Sequence, residues 1–537
     1  MKIAAYLGNS ANAPSNCRLA LASAWCGGAE MLHFVVRLCG SGRLVLAVDA
    51  DTRAATGTPG KVAELSVSAL RKLDYSNGFI PRGVVQGDPT FDYIDANVAD
   101  RRHPIDVFDE VIDDLPHEPD WCIELRSDPG DPSHDAAAAA ALAALINPRR
   151  YGRRIVLTAD TDALFAELRA VCPLARFAAR PGLLQADRTE LAIFDAAALW
   201  ASGSFTAKAA VVRGEVESGK WTEGAYLIVR GRVDPALLAA AQGADWIAAL
   251  GVESLFDCAS LRPMFTMIDE PFKGQTPNKS SFSLGYAKAN KFARVSWDEG
   301  IHIDIAPYDG DLPEFSGDDV HRRLERLRWD LINVGRDWPF YSGGGLGVMH
   351  GISGDFAAEV DYRVAEVGQA TTLEMAVTNV DPGTHRDNPP SSFREKCSFF
   401  DPHGAPPFVG VEHDENDGYR INWNLGTEYD NNQYGRPAGD GRTPRGARLR
   451  LERRGNWFAA YYRDPVDSAG QALPPHDWIC VGVTRNLSLN HTVYLRCVGK
   501  RWRQEKASDP SLYEPIIANR FTFQNLHIAC FPQDPGD

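Results

Sequence analysis

The segment Glu412-His-Asp-Glu-Asn-Asp-Gly-Tyr-Arg-Ile-Asn-Trp-Asn-Leu-Gly-Thr-Glu-Tyr-Asp-Asn-Asn-Gln-Tyr-Gly435 concentrates carboxylates, amides and aromatic rings. Saccharides are bound by that mixture. Flat rings stack on apolar sugar faces, while Asp, Asn and Glu bond to hydroxyls. Glu412, Asp414, Asn416, Asp417, Trp423, Tyr429 and Tyr434 are therefore the candidate ligand-binding residues. The first four also offer oxygen ligands for Ca²⁺. Their spacing departs from the loop of about twelve residues, ending in Glu, that an EF-hand uses. An ordinary turn with Asx caps accounts for them more simply. Trp423 has a competing role as core, where aromatic residues of sandwich strands usually sit.

Two basic clusters call for the same weighing. Arg149-Arg150 and Arg153-Arg154 could hold phosphate, but they follow an alanine-rich helix, where cations complement the helix dipole. His321-Arg-Arg-Leu-Glu-Arg-Leu-Arg reads as a solvated helix face with Leu324, Leu327 and Leu331 inward. His350, His385, His403 and His413 show no metal-ligand spacing. The sequence has no P-loop, dinucleotide fingerprint, nucleophile elbow or zinc signature.

The elements that must carry these residues fall into two patterns. Up to about residue 265, strand-like runs alternate with helical ones. The strands are Ile3–Tyr6, Met31–Leu38, Leu44–Val48, Trp121–Leu125, Ile155–Thr158, Leu191–Phe194, Tyr226–Val229 and Trp246–Leu250. Arg18–Trp25, Val107–Asp114, Asp135–Ile146, Asp162–Val171 and Pro235–Gln242 read as helices. Alternation of this kind implies parallel strands joined by crossovers. Eight runs in this length predict a (β/α)8 TIM barrel over 1–265. Residues 266–334 read as a connector with some strand, for example Arg294–Trp297 and Ile301–Ile305, and one charged helix near 318–331. From 335 to 537 short alternating segments between turn signals predict an all-β sandwich. Arg453-Arg454-Gly455-Asn456 is the clearest hairpin turn among them.

The N-terminal half resembles the glycerophosphodiester phosphodiesterase family. The resemblance is carried, in order, by Ala5-Tyr6-Leu7-Gly8, Ala13-Pro14-Ser15-Asn16-Cys17, Gly28-Ala29-Glu30, Val48-Asp49, Thr56-Gly57-Thr58, Ile123-Glu124-Leu125-Arg126 and Gly251-Val252-Glu253. It implies a barrel whose members use two histidines as general acid and base and carboxylates to hold a divalent metal. On that pattern the histidine positions are Tyr6 and Val48, and the metal-binding Glu-x-Asp is His33-Phe34-Val35. Only Glu124 matches. The resemblance therefore implies that the parent reaction is absent, or that Tyr6, His33 and Glu124 form an altered catalytic site at the barrel mouth. A hydrogen-bonded relict in a filled pocket is the simpler expectation. Residues 335–537 resemble a concanavalin/laminin-G-like jelly roll through Gly354-Asp355-Phe356, Arg448–Tyr462 and Trp478.

Composition narrows the partners. The 537 residues carry 56 Lys+Arg against 71 Asp+Glu, a formal charge of −15. That sign argues against polyanions, so neither nucleic acid nor membrane is expected. Ten scattered cysteines and a start without a long apolar core read as a reduced, cytoplasmic protein. The expected partner is a saccharide or other small polar ligand, with homo-oligomerisation open. No cofactor is expected beyond a candidate Ca²⁺ or Mg²⁺. The leading reading is a catalytically degenerate barrel fused to a ligand-binding jelly roll. A repurposed hydrolase or lyase, and a structural or partner-binding protein, are the alternatives.

Overall fold

The computed structural model describes residues 1–76, 79, 82, 103–128, 131–149, 151–181, 189–196, 213, 216, 221–274, 278–284, 293–307, 342–366, 371–382, 407–414, 418–424, 429–433, 445–466, 471–472, 477–501, 505–506, 509–513 and 518–532. Met1–Arg82 with Arg101–Pro263 form one compact unit, and Met264–Asp537 belongs to a second.

The first unit is a closed barrel of eight parallel strands. They are β1 (Lys2–Tyr6), β2 (Met31–Leu38), β3 (Asp120–Leu125), β4 (Ile155–Ala159), β5 (Arg176–Ala179), β6 (Thr189–Asp195), β7 (Trp221–Ile228) and β8 (Ile247–Val252). Each pairs with the next, and β1 pairs with both β2 and β8, which closes the ring. Period-two alternation sorts the side chains. Leu32, Phe34 and Val36 of β2 join the layer under the helices. Met31, Cys122, Val156 and Tyr226 fill the interior.

Local signals set the helices. Asp131, Thr161 and Asp234 each cap a helix by accepting a backbone N–H, and Pro132 and Pro235 occupy first-turn positions. Arg149 donates to the Leu145 carbonyl and pairs with Asp113, the expected helix-end role. Arg150 lies outside the described residues.

Two expectations are corrected. Leu44–Val45 is not a barrel strand, because it folds back antiparallel on β2. The missing barrel member is β5, whose four residues carry too little pattern to stand out. The segment read as a connector does more than connect. The strands expected at Arg294–Trp297 and Ile301–Ile305 are present as β10 (Ala293–Trp297) and β11 (Ile301–Ile305), and with Phe265–Glu270 (β9) they join a sheet of the second unit, where alternating Ile301, Ile303 and Ile305 supply a buried face. The charged helix expected near 318–331 lies outside the described residues.

The second unit is a sandwich of two antiparallel sheets. Its further strands are β12 (Ser342–Val348), β13 (Phe356–Glu366), β14 (Thr371–Thr378), β15 (Phe408–Asp414), β16 (Gly418–Asn424), β17 (Tyr429–Gln433), β18 (Gly446–Arg454), β19 (Trp457–Val466), β20 (Ile479–Arg485), β21 (Thr492–Arg501) and β22 (Asn519–Cys530). One sheet runs β10-β11-β22-β13-β18-β19-β20, with β9 also on β22. The other runs β12-β21-β14-β15-β16-β17. One apolar core fills the space between them. Gly455, at φ 57°, makes the two-residue turn between β18 and β19. The nine described cysteines are free thiols, all buried except half-buried Cys17, and Cys397 lies outside the described residues. Among the described residues no helix is long and apolar enough to cross a membrane.

His413 sits inside this core. Its Nδ1 lies 2.7 Å from the Tyr362 hydroxyl, and its ring stacks on Tyr419, which stacks in turn on Tyr462. Burial pushes its pKa down to about 3. The unfolded chain takes up a proton near pH 6.5, the ordinary histidine value, and the folded chain does not. Stability therefore falls as pH drops from about 6.5 toward the folded value. Urea unfolding of the full chain across that range should show this slope, and His413→Gln should flatten it. An unchanged slope would remove His413 as its source.

Candidate functional site

Parallel strands point their C-terminal ends to one face of the barrel, and loops there build the mouth. Tyr6 ends β1, Glu124 lies one residue from the end of β3, and Arg126 directly follows that strand. His33 and Tyr226 reach the interior from β2 and β7. The register places Tyr6 opposite His33, and Cys122 opposite His33 on the other side.

These side chains form one connected chain. The His33 Nε2 and Glu124 Oε2 are 3.2 Å apart, and His33 Nδ1 is 2.9 Å from the Tyr226 hydroxyl. Arg126 Nε donates to the other Glu124 oxygen at 2.8 Å, and its Nη1 donates to the Val48 carbonyl at 2.9 Å. A carboxylate only accepts, so the arrangement is Nε2–H of His33 to Glu124, with Nδ1 accepting from Tyr226. Tyr6 packs its ring edge-on to His33, and Arg230 lies over the Tyr6 ring. Tyr6, His33, Glu124 and Tyr226 are all buried, none more than 4% exposed.

Burial alone would raise the pKa of Glu124. The hydrogen bond from His33, with the charge and hydrogen bond of the Arg126 guanidinium, overcomes it and holds the carboxyl well below the usual range. Burial raises Tyr226 and Tyr6, so both stay as phenols at neutral pH. Gly251 permits this packing. A Cβ there would come within 2.8 Å of the Tyr226 hydroxyl oxygen.

The cluster is thus satisfied from within. Both oxygens of Glu124 and both nitrogens of His33 have partners inside the cluster. A divalent cation, which the resemblance implies, does not fit these residues. Glu124 is the one carboxylate at the matching positions, and a guanidinium already holds it. Among the described residues no group of three or more His, Cys, Asp or Glu could hold a metal ion.

The sandwich candidates separate. Trp423 belongs to the core between the sheets. Glu412 belongs to the opposite face of its sheet, fully buried, bonded to Arg420 at 3.1 Å and to Asn422. The two cannot share one ligand, because alternate positions on paired strands face opposite ways. Glu412 contacts a ligand only if its internal partners release it. Asp414 ends β15 and Tyr429 begins β17. Asn416, Asp417 and Tyr434 lie outside the described residues.

Tyr226 and Arg126 have no place among the sequence-derived candidates. The signal for Tyr226 was its interior register on β7. For Arg126 it was the two-residue spacing from Glu124.

The fold class is a parallel β/α barrel joined to an antiparallel β-sandwich. No protein-family model and no curated protein matches the chain. Solved structures similar to it include glycerophosphodiester phosphodiesterases. One from Agrobacterium tumefaciens str. C58 shares 19% identity, with a TM-score of 0.35, over 48% of this chain and 99% of that one. A phosphodiesterase from Oleispira antarctica, solved with the product sn-glycerol-3-phosphate, shares 12% identity, with a TM-score of 0.37, over 49% and 96%. A GlcNAcα1-4Gal-releasing endo-β-galactosidase from Clostridium perfringens shares 9% identity, with a TM-score of 0.30, over 50% and 62%.

Glu124→Ala leaves Arg126 and His33 without their acceptor. It should cost about 3–5 kcal/mol of stability near pH 7, read from urea unfolding. The parent's advantage belongs to the ionised carboxylate. It is full above pH about 4.3, the ordinary Glu value, and shrinks as pH falls through the depressed folded pKa. A gap that stays constant down to pH 3 would show that charge is not its source.

Proposed function

We propose that the barrel is a catalytically silent relative of the phosphodiesterase barrels, serving as a scaffold. The jelly-roll-like sandwich carries recognition of a saccharide or another small polar ligand. One observation carries the first part. On the family pattern Tyr6 and Val48 take the acid–base positions, and His33 and Glu124 beside them are tied into the Tyr226–His33–Glu124–Arg126 chain. A positioned acid or base contributes about 10²–10⁴-fold to rate, and a phenol and an alkyl group do not replace it near neutral pH. A repurposed acid–base pair at His33 and Glu124 is disfavoured for the same reason that the pair is stable: both groups are buried and each oxygen and ring nitrogen already has an internal partner.

Support for the second part comes from the face of β14, β15, β16 and β21 that turns away from the core. Glu374 pairs there with Arg496 at 3.0 Å and Lys500 at 2.8 Å, beside the Glu412–Arg420–Asn422 group. Acid, amide and guanidinium groups on one sheet face are the donors and acceptors that hydroxyl-rich ligands use.

The full chain should hydrolyse a glycerophosphodiester in Mg²⁺ or Ca²⁺ no faster than a protein-free control. Turnover abolished by Glu124→Ala would overturn the scaffold reading. On a glycan array the same chain should retain a defined set of saccharides, and Asn422→Leu should weaken that retention about tenfold. Failure to retain any glycan would overturn the recognition reading and leave the scaffold reading standing.

A further inference from the structure

We draw no further inference here: the strongest candidate, the buried Glu359–Arg450–Glu452 set on the outer face of the β13–β18–β19 sheet, where Glu452 Oε2 finds no hydrogen-bond partner among the described residues, carries nothing because nothing in the structure shows what covers that face.

Discussion

A carboxylate held inside a barrel has to be answered, and Glu124 is answered twice. Stranded alone among apolar walls it would neutralise or destabilise the fold, since an uncompensated buried charge costs several kcal/mol. His33 on one oxygen and Arg126 on the other remove that problem. The consequences spread outward. Tyr226 has to reach His33 from the far side, Gly251 has to lack a side chain to let it, and Tyr6 has to stay a phenol against the imidazole edge. The same bonds that hold the carboxylate tie His33, Arg126 and Tyr226 into one hydrogen-bonded chain.

Much of this architecture was legible because it rests on local rules. Asp162–Val171 and Pro235–Gln242 appear with the expected bounds, since caps, first-turn prolines and apolar spacing are all written within a few residues. The errors fall where the deciding contacts are distant. Leu44–Val45 and Arg176–Ala179 differ little as strings, and only their neighbours decide which one enters the barrel. Ile301-His-Ile-Asp-Ile is legible as a strand, but not the sheet it joins, because its second partner β22 lies more than two hundred residues away, as the 216-residue separation of Asp304 and Arg520 shows. At the mouth, family order placed His33 and Glu124 together. It said nothing of Tyr226, which reaches them from a position 193 residues beyond His33.

The sandwich shows a different economy of charge. Its sheets present not only an apolar inner face but outer faces whose charged residues are themselves withdrawn from water. Glu374, Arg496 and Glu412 are fully buried, as is Glu452 on the other sheet, where Arg450 bridges it to Glu359. Lone carboxylates at these positions could not be maintained, so the acids and guanidiniums are fixed as sets. Substituting one member acts on the whole set, and such groups respond to mutation non-additively. Residue type alone made Glu412 look like a ligand contact. Register shows it first as a member of such a set.

Strand β22 has a consequence for the order in which the molecule can be made. Residues 519–530 carry on one edge β13 and on the other both β9 and β11. Segments as early as Phe265 therefore wait for a strand synthesised more than two hundred and fifty residues later, as the Cys530–Met267 contact across 263 positions records. The barrel closes with strands drawn only from residues 2–252, so on the ribosome it can be complete while the sandwich still has open sheet edges. Long-range antiparallel pairing of this kind is slow to nucleate, since loop closure must precede any gain from contact. Truncation within 519–530 would leave three strands without their common neighbour while the barrel remained whole.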